Sequence, residues 1–140
     1  MEKIFMQELN TLQNMALLVA RILFVAVFVF QDAIYNKIIY ASRSIQYMNN
    51  FGLPYPHVLL VLTVILELLA GFMIITGWKS QLGAFLIFCF TLGATCIFHR
   101  FWTYTNPAEI QNQLNHFMKN ISIMGGAIFI MVLGVGKYRL

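Results

Sequence analysis

Residues 54–102 read PYPHVLLVLTVILELLAGFMIITGWKSQLGAFLIFCFTLGATCIFHRFW, with two apolar runs, 58–76 and 82–98, joined by a short turn. At about 1.5 Å of rise per residue, either run as a helix crosses most of a ~30 Å hydrocarbon layer. The first run carries one carboxylate, Glu67, near its centre, and the second ends in His99-Arg100-Phe101-Trp102. A hairpin this apolar, with an interior acid and a basic, aromatic exit, does not suit a soluble core. It predicts the middle of a membrane bundle.

Composition agrees. A chain of 140 residues that is 60% hydrophobic and 10% charged cannot hide its apolar surface in one small soluble domain. The net charge of +4 is scattered singly near the ends of apolar runs, as anchoring residues are, and offers no groove for nucleic acid. Near the N-terminus Glu2 and Glu8 spoil a signal-peptide pattern, so the first hydrophobic segment is expected to be retained behind a polar lead-in, 1–13. The predicted fold is all-α: one domain over residues 1–140, an integral membrane four-helix bundle with spans near 14–31, 58–76, 82–99 and 119–136. Its two long connections are expected to carry amphipathic interfacial helical segments.

Helical spacing sorts the spans into faces. In the first, Asn14, Leu18, Arg21, Val25, Phe28 and Asp32 share a stripe, and an Arg that lipid solvates poorly directs that stripe inward. In the connection, Ile34, Ile38, Ala41, Ile45 and Met48 continue at helical spacing until Asn49-Asn50-Phe51-Gly52 breaks it. The second span aligns Thr63, Glu67 and Gly71, small or polar groups that let a neighbour approach. In the third, Phe85, Cys89, Leu92, Cys96 and His99 form a stripe taken to face inward. Cys89 and Cys96 lie about 10 Å apart along that helix, too far to bridge each other, and read as packing residues. Asn106-Pro107-Ala108-Glu109 has the chemistry of a helix start, and a polar helix is expected to run from it into the fourth span.

Two polar groupings emerge. Arg21 lies about 10 Å and Glu67 about 13 Å in from the side bearing the termini, which predicts an Arg21–Glu67 ion pair at matching depth. At the opposite mouth, topology gathers Gln31, Asp32, His57, His99, Arg100, Asn115 and His116. Histidines beside a carboxylate can move protons near neutral pH, and an Arg can hold an anionic or carbonyl oxygen. His57 and His116 are read as interfacial, while His99 is the stronger site candidate. No fixed-spacing metal set is present, and no nucleotide-binding or nucleophile motif. Basic residues outside the spans split evenly between the two sides: Lys3, Lys79, Lys137 and Arg139 against Lys37, Arg43, Arg100 and Lys119. The terminal side holds its charges in one short turn and two tails close to the spans, which leans towards cytoplasmic termini.

Ala20-Arg21-Ile22-Leu23, Gly52-Leu53-Pro54, Glu67-Leu68-Leu69-Ala70-Gly71, Thr76-Gly77-Trp78 and Phe98-His99-Arg100-Phe101-Trp102, in that order, resemble the DoxX family of small four-helix bacterial membrane proteins. The likeness covers residues 16–136, and one departure is Ile34, which stands where members commonly carry a Gly ahead of Lys37. The resemblance implies a bacterial inner membrane and association with redox systems, since some members are membrane subunits of quinone-linked oxidising complexes. The expected function is therefore a redox accessory protein with a quinone-like or lipid-like ligand inside the bundle. Arg21, Asp32, Glu67, His99, Arg100 and Trp102 are its candidate binding residues. Expected partners are the lipid bilayer, a protein of a membrane redox complex and, through the Gly-rich fourth span, a second copy. The alternative is a non-enzymatic assembly or packing protein, or a small-solute carrier, whose polar pair only sets helix register.

Overall fold

The computed structural model describes residues 9–139, and the regular elements it contains are all helical. Four helical stretches are long and apolar enough to cross a membrane: Thr11–Ile39, Pro56–Thr76, Ser80–Thr103 and Pro107–Leu133. Of the lead-in expected at 1–13, residues 1–8 lie outside the described residues.

Helix α1 (Thr11–Ala26) starts at a reciprocal cap: the Gln13 N–H donates to Asn10 Oδ1 at 2.8 Å, and the Asn10 N–H donates to Gln13 Oε1 at 2.9 Å. From Val27 to Ile39 the same helix widens into a π-helical segment, closed by the Tyr40 N–H donating to the Tyr35 carbonyl at 3.2 Å. Its buried residues, Phe28, Ala33 and Lys37, are spaced by five and four positions, as the wider turn requires. Tyr40 then breaks the helix (φ −109°, ψ 42°), and α2 (Ala41–Asn50) follows. Met48 anchors α2, and Tyr47 and Phe51 pack on Phe98 with ring centres 5.3 and 5.1 Å away. The first long connection thus carries a helical segment, as expected.

Helices α3 (Pro56–Thr76) and α4 (Ser80–Phe98) form the apolar hairpin, turning at Gly77 in the left-handed region (φ 81°). Helix α5 (Pro107–Leu133) is one continuous element carrying both the Asn/Gln-rich stretch and the fourth span. Its start is as the sequence predicts: Asn106 Oδ1 accepts from the Ala108 N–H at 2.9 Å, with Pro107 in the first turn.

Packing runs in chain order. The π segment and α1 lie on α3, α3 lies on α4, and α4 lies on α5. The core joins Val25, Phe28, Ala70, Ile74, Ala84 and Ile87. A Cβ on Gly71 would come within 2.7 Å of Val29 and 2.9 Å of Val25, so this glycine sets how closely α3 meets the first helix. The inward stripe expected on the first span holds, with Asn14, Arg21, Val25 and Phe28 all buried.

The expectation for α4 is reversed. Phe85, Cys89, Leu92 and Cys96 are exposed, whereas Gly83, Ala84, Ile87, Thr91 and Thr95 are buried. Lipid tails are as apolar as Phe or Leu, so large side chains gain little by turning inward. Small and hydroxyl-bearing residues turn inward instead, where backbones meet and polar groups find partners.

After α5 the chain turns back across the end of the bundle. The Lys137 N–H donates to Asn14 Oδ1 at 2.8 Å, and a Cβ on Gly136 would sit 2.8 Å from Leu17. Val135 is buried there.

Candidate functional site

Glu67 lies near the middle of α3 and is wholly buried. Its partner is Lys37 rather than Arg21: Lys37 Nζ donates to Glu67 Oε1 at 2.6 Å and to Asp32 Oδ2 at 3.0 Å. Asn36 Nδ2 adds a longer contact to Asp32 Oδ1 at 3.5 Å. The ammonium also stands 4.7 Å from the centre of the Phe90 ring. Two carboxylates thus share one buried cation.

The expected Arg21–Glu67 pair is absent because the two residues lie at different depths. Antiparallel packing sets Arg21 beside Ile74, whose carbonyl it approaches at 3.5 Å, and seven residues of helix, about 10 Å, separate Ile74 from Glu67. Helix α1 begins further out than α3 ends, so equal residue counts from the two ends do not mean equal depth. The strongest contact of the guanidinium is with the chain after α5, Nη2 donating to the Tyr138 carbonyl at 2.6 Å. Arg21 is a buried fastener at the far end of the bundle.

Above the triad a cavity of about 480 Å³ opens towards the mouth. Asp32, Lys37 and Asn36 line it from the π segment, Phe90 and Thr91 from α4, and His116, Lys119 and Asn120 from α5. Asn120 Nδ2 donates to Thr95 Oγ1 at 2.8 Å, and that hydroxyl donates to the Thr91 carbonyl at 2.6 Å. Thr91 Oγ1 and Glu67 Oε2 are buried without a hydrogen-bond partner among the described residues. At the mouth, His99 Nδ1 donates to Gln113 Oε1 at 2.9 Å, and the His99 ring stacks on His116 with centres 5.0 Å apart and planes at 16°. Tyr47, on α2, also lines the mouth, and burial together with nearby Tyr104 pushes its hydroxyl above the ordinary tyrosine range.

Of the candidate residues, Asp32 and His99 line the cavity and Glu67 lies beneath it, held through Lys37. Arg21, Arg100 and Trp102 lie outside its lining; Trp102 is 60% exposed and packs on Phe101 and Phe117. Gln31 and His116 join the cavity, while His57 and Asn115 do not. His116, read from the sequence as interfacial, lines the cavity beside His99 because α5 continues unbroken past the mouth.

Lys37 is the buried charge at the centre of this cluster that spacing concealed. On an α-helix a residue five positions from Asp32 points about 140° away from it. On a helix whose bonds run from i to i+5 the two come onto one face. The available signal was Glu67 itself, a mid-span acid that demands a cation. Among the described residues no group of His, Cys, Asp and Glu is placed to hold a metal ion.

The fold and the site together define a helical membrane protein with a charged interior beneath a cavity. The chain belongs to the DoxX family: the family model matches residues 16–100. It is similar to two proteins of Escherichia coli K12. With the inner membrane protein YphA it is 32% identical over 124 residues, covering 89% of this chain and 86% of the relative. With the inner membrane protein YqjF it is 33% identical over 132 residues, covering 94% of each. No solved structure matches the chain.

Proposed function

We propose that this protein is an inner-membrane redox accessory protein that holds a quinone-like or lipid-like amphiphile in the cavity between the π segment, α4 and α5. The observation that carries the reading is the Asp32–Lys37–Glu67 triad facing a cavity of about 480 Å³. Charges are costly within a membrane and mark functional sites there, and a mixed polar and apolar cavity of this size suits a small ligand. Lys37 has three N–H groups and gives two to carboxylates, and Thr91 Oγ1 has no partner among the described residues. Hydrogen-bonding capacity therefore remains for a carbonyl-bearing head, with Phe90 and Phe98 among the apolar side chains of the lining. The family and its inner-membrane relatives support the location. Outside the four membrane-crossing stretches, Lys79, Lys137 and Arg139 lie on the terminal side and Arg43 on the other, which favours cytoplasmic termini.

The test is titration of the purified protein with ubiquinone and menaquinone analogues. Saturable binding that weakens at least tenfold in His99→Ala and Lys37→Met supports the reading, and absence of saturable binding removes it. The assembly or packing reading draws on the same triad, which ties α3 to the first helix whatever fills the cavity. It predicts no saturable ligand and instead a stoichiometric protein partner that Glu67→Gln releases.

A further inference from the structure

The bundle does not close evenly around the cavity. Low in the bundle, the Phe24 side chain bridges from the first helix to α5, where a Cβ on Gly126 would lie 3.0 Å from its ring. One turn higher, Val27 and Gln31 on the π segment and Lys119 and Ile123 on α5 all line the cavity. The packed helix pairs run from the π segment through α3 and α4 to α5, and α5 is not closely packed on the π segment. On the outer side of the π segment lies a second, open depression of about 420 Å³ lined by Ala26, Val27, Phe30, Gln31 and Tyr35. Val27 and Gln31 belong to both spaces. The outer depression lies on the flank of a membrane-crossing helix, where Phe30 is 63% exposed, so bilayer hydrocarbon is its natural filling.

We propose that the cavity exchanges its ligand sideways with the bilayer: the polar head sits above the Lys37 triad, and a hydrocarbon tail leaves through the cleft between Val27 and Ile123 to lie along Phe30. The inference rests on the ligand-binding reading and adds to it both the ligand's class, a single-tailed amphiphile, and its route. A tail-less head reaches the same seat through the polar mouth at His99 and Gln113, so only tailed molecules depend on the cleft.

The experiment bridges the cleft reversibly. In a Cys89→Ser/Cys96→Ser background, Val27→Cys with Ile123→Cys is joined by bifunctional methanethiosulfonate reagents of graded length, which reductant removes. Binding of decyl-ubiquinone and of the tail-less dimethoxymethylbenzoquinone is measured before bridging, after it and after reduction. The expected result is at least tenfold weaker binding of the decyl compound in the bridged protein, recovered on reduction, with the tail-less compound changed less than twofold. Equal binding of both compounds with the bridge in place overturns the sideways route. Loss of both also overturns it, since the bridge then occupies the head's seat rather than the tail's path. Failure of both to bind the parent protein, titrated alongside, defeats the ligand-binding reading itself, a different outcome from failure of the cleft.

Discussion

Lys37 and Glu67 are thirty residues apart in the chain and 2.6 Å apart in space, the only cation–carboxylate contact among the described residues that joins two membrane-crossing helices. Both side chains are almost fully buried, at 8% and 0% exposed. Removing one partner strands a buried charge, which costs about 3–5 kcal/mol, whereas replacing both with apolar groups of similar size is often close to neutral. Lys37→Met is therefore expected to destabilise the protein by about that amount, and Lys37→Met/Glu67→Leu by clearly less than the sum of the single changes. Unfolding in mixed micelles titrated with dodecyl sulfate measures this coupling. Additive single effects would contradict the pairing.

Gly71 tests the contact between α3 and the first helix. An added methyl group there meets two β-branched side chains, Val25 and Val29, that have little room to swing away. Gly71→Ala is expected to destabilise by about 1–3 kcal/mol through overpacking. Gly125→Ala is the control, since nothing lies within 4 Å of a Cβ at that position. Thermal unfolding of the two variants side by side gives the answer, and an equal shift in both would refute the close approach.

The segment after α5 is held by Asn14 and Arg21. A hydrogen bond from a charged donor contributes about 1.5–3 kcal/mol, so Arg21→Met should release this segment while leaving the four spans in place. Trypsin cleavage after Lys137 is expected to be several times faster in Arg21→Met and in Asn14→Ala than in the parent protein. Unchanged cleavage rates would mean that these side chains do not hold the segment.

Cys89 and Cys96 lie on the outward face of α4 within a membrane-crossing stretch. In membranes, both thiols are expected to resist a charged, water-soluble maleimide and to react fully only once denaturing detergent brings them to water, because the thiolate is the reacting form. If the charged reagent reacts readily, that face of α4 borders water rather than lipid.

Much of the fold could be read from residue pattern because polar groups in an apolar chain have few places to go. Arg21 marked the inner stripe of α1, Gly71 marked the close approach on α3, and Asn106-Pro107 marked the start of α5. What eluded the pattern had physical causes. Inward and outward faces of α4 cannot be ranked by hydrophobicity when the solvent is hydrocarbon, and side-chain size was the better guide. The centre of the site eluded it too, because Lys37 reaches Asp32 through a five-residue repeat that α-helical counting passes over. Depth was misjudged for Arg21 because the first helix and α3 are staggered along their length.

The grip of Arg21 on Tyr138 has a bearing on how the molecule is made. The two residues are 117 positions apart, so during synthesis the guanidinium enters the membrane long before its best acceptor has been translated. Until then it must be tolerated by water, headgroups or the insertion machinery. The nascent first helix is thus expected to remain near that machinery, free of its final position, until the fourth span has been delivered and the bundle can lock in a single late event.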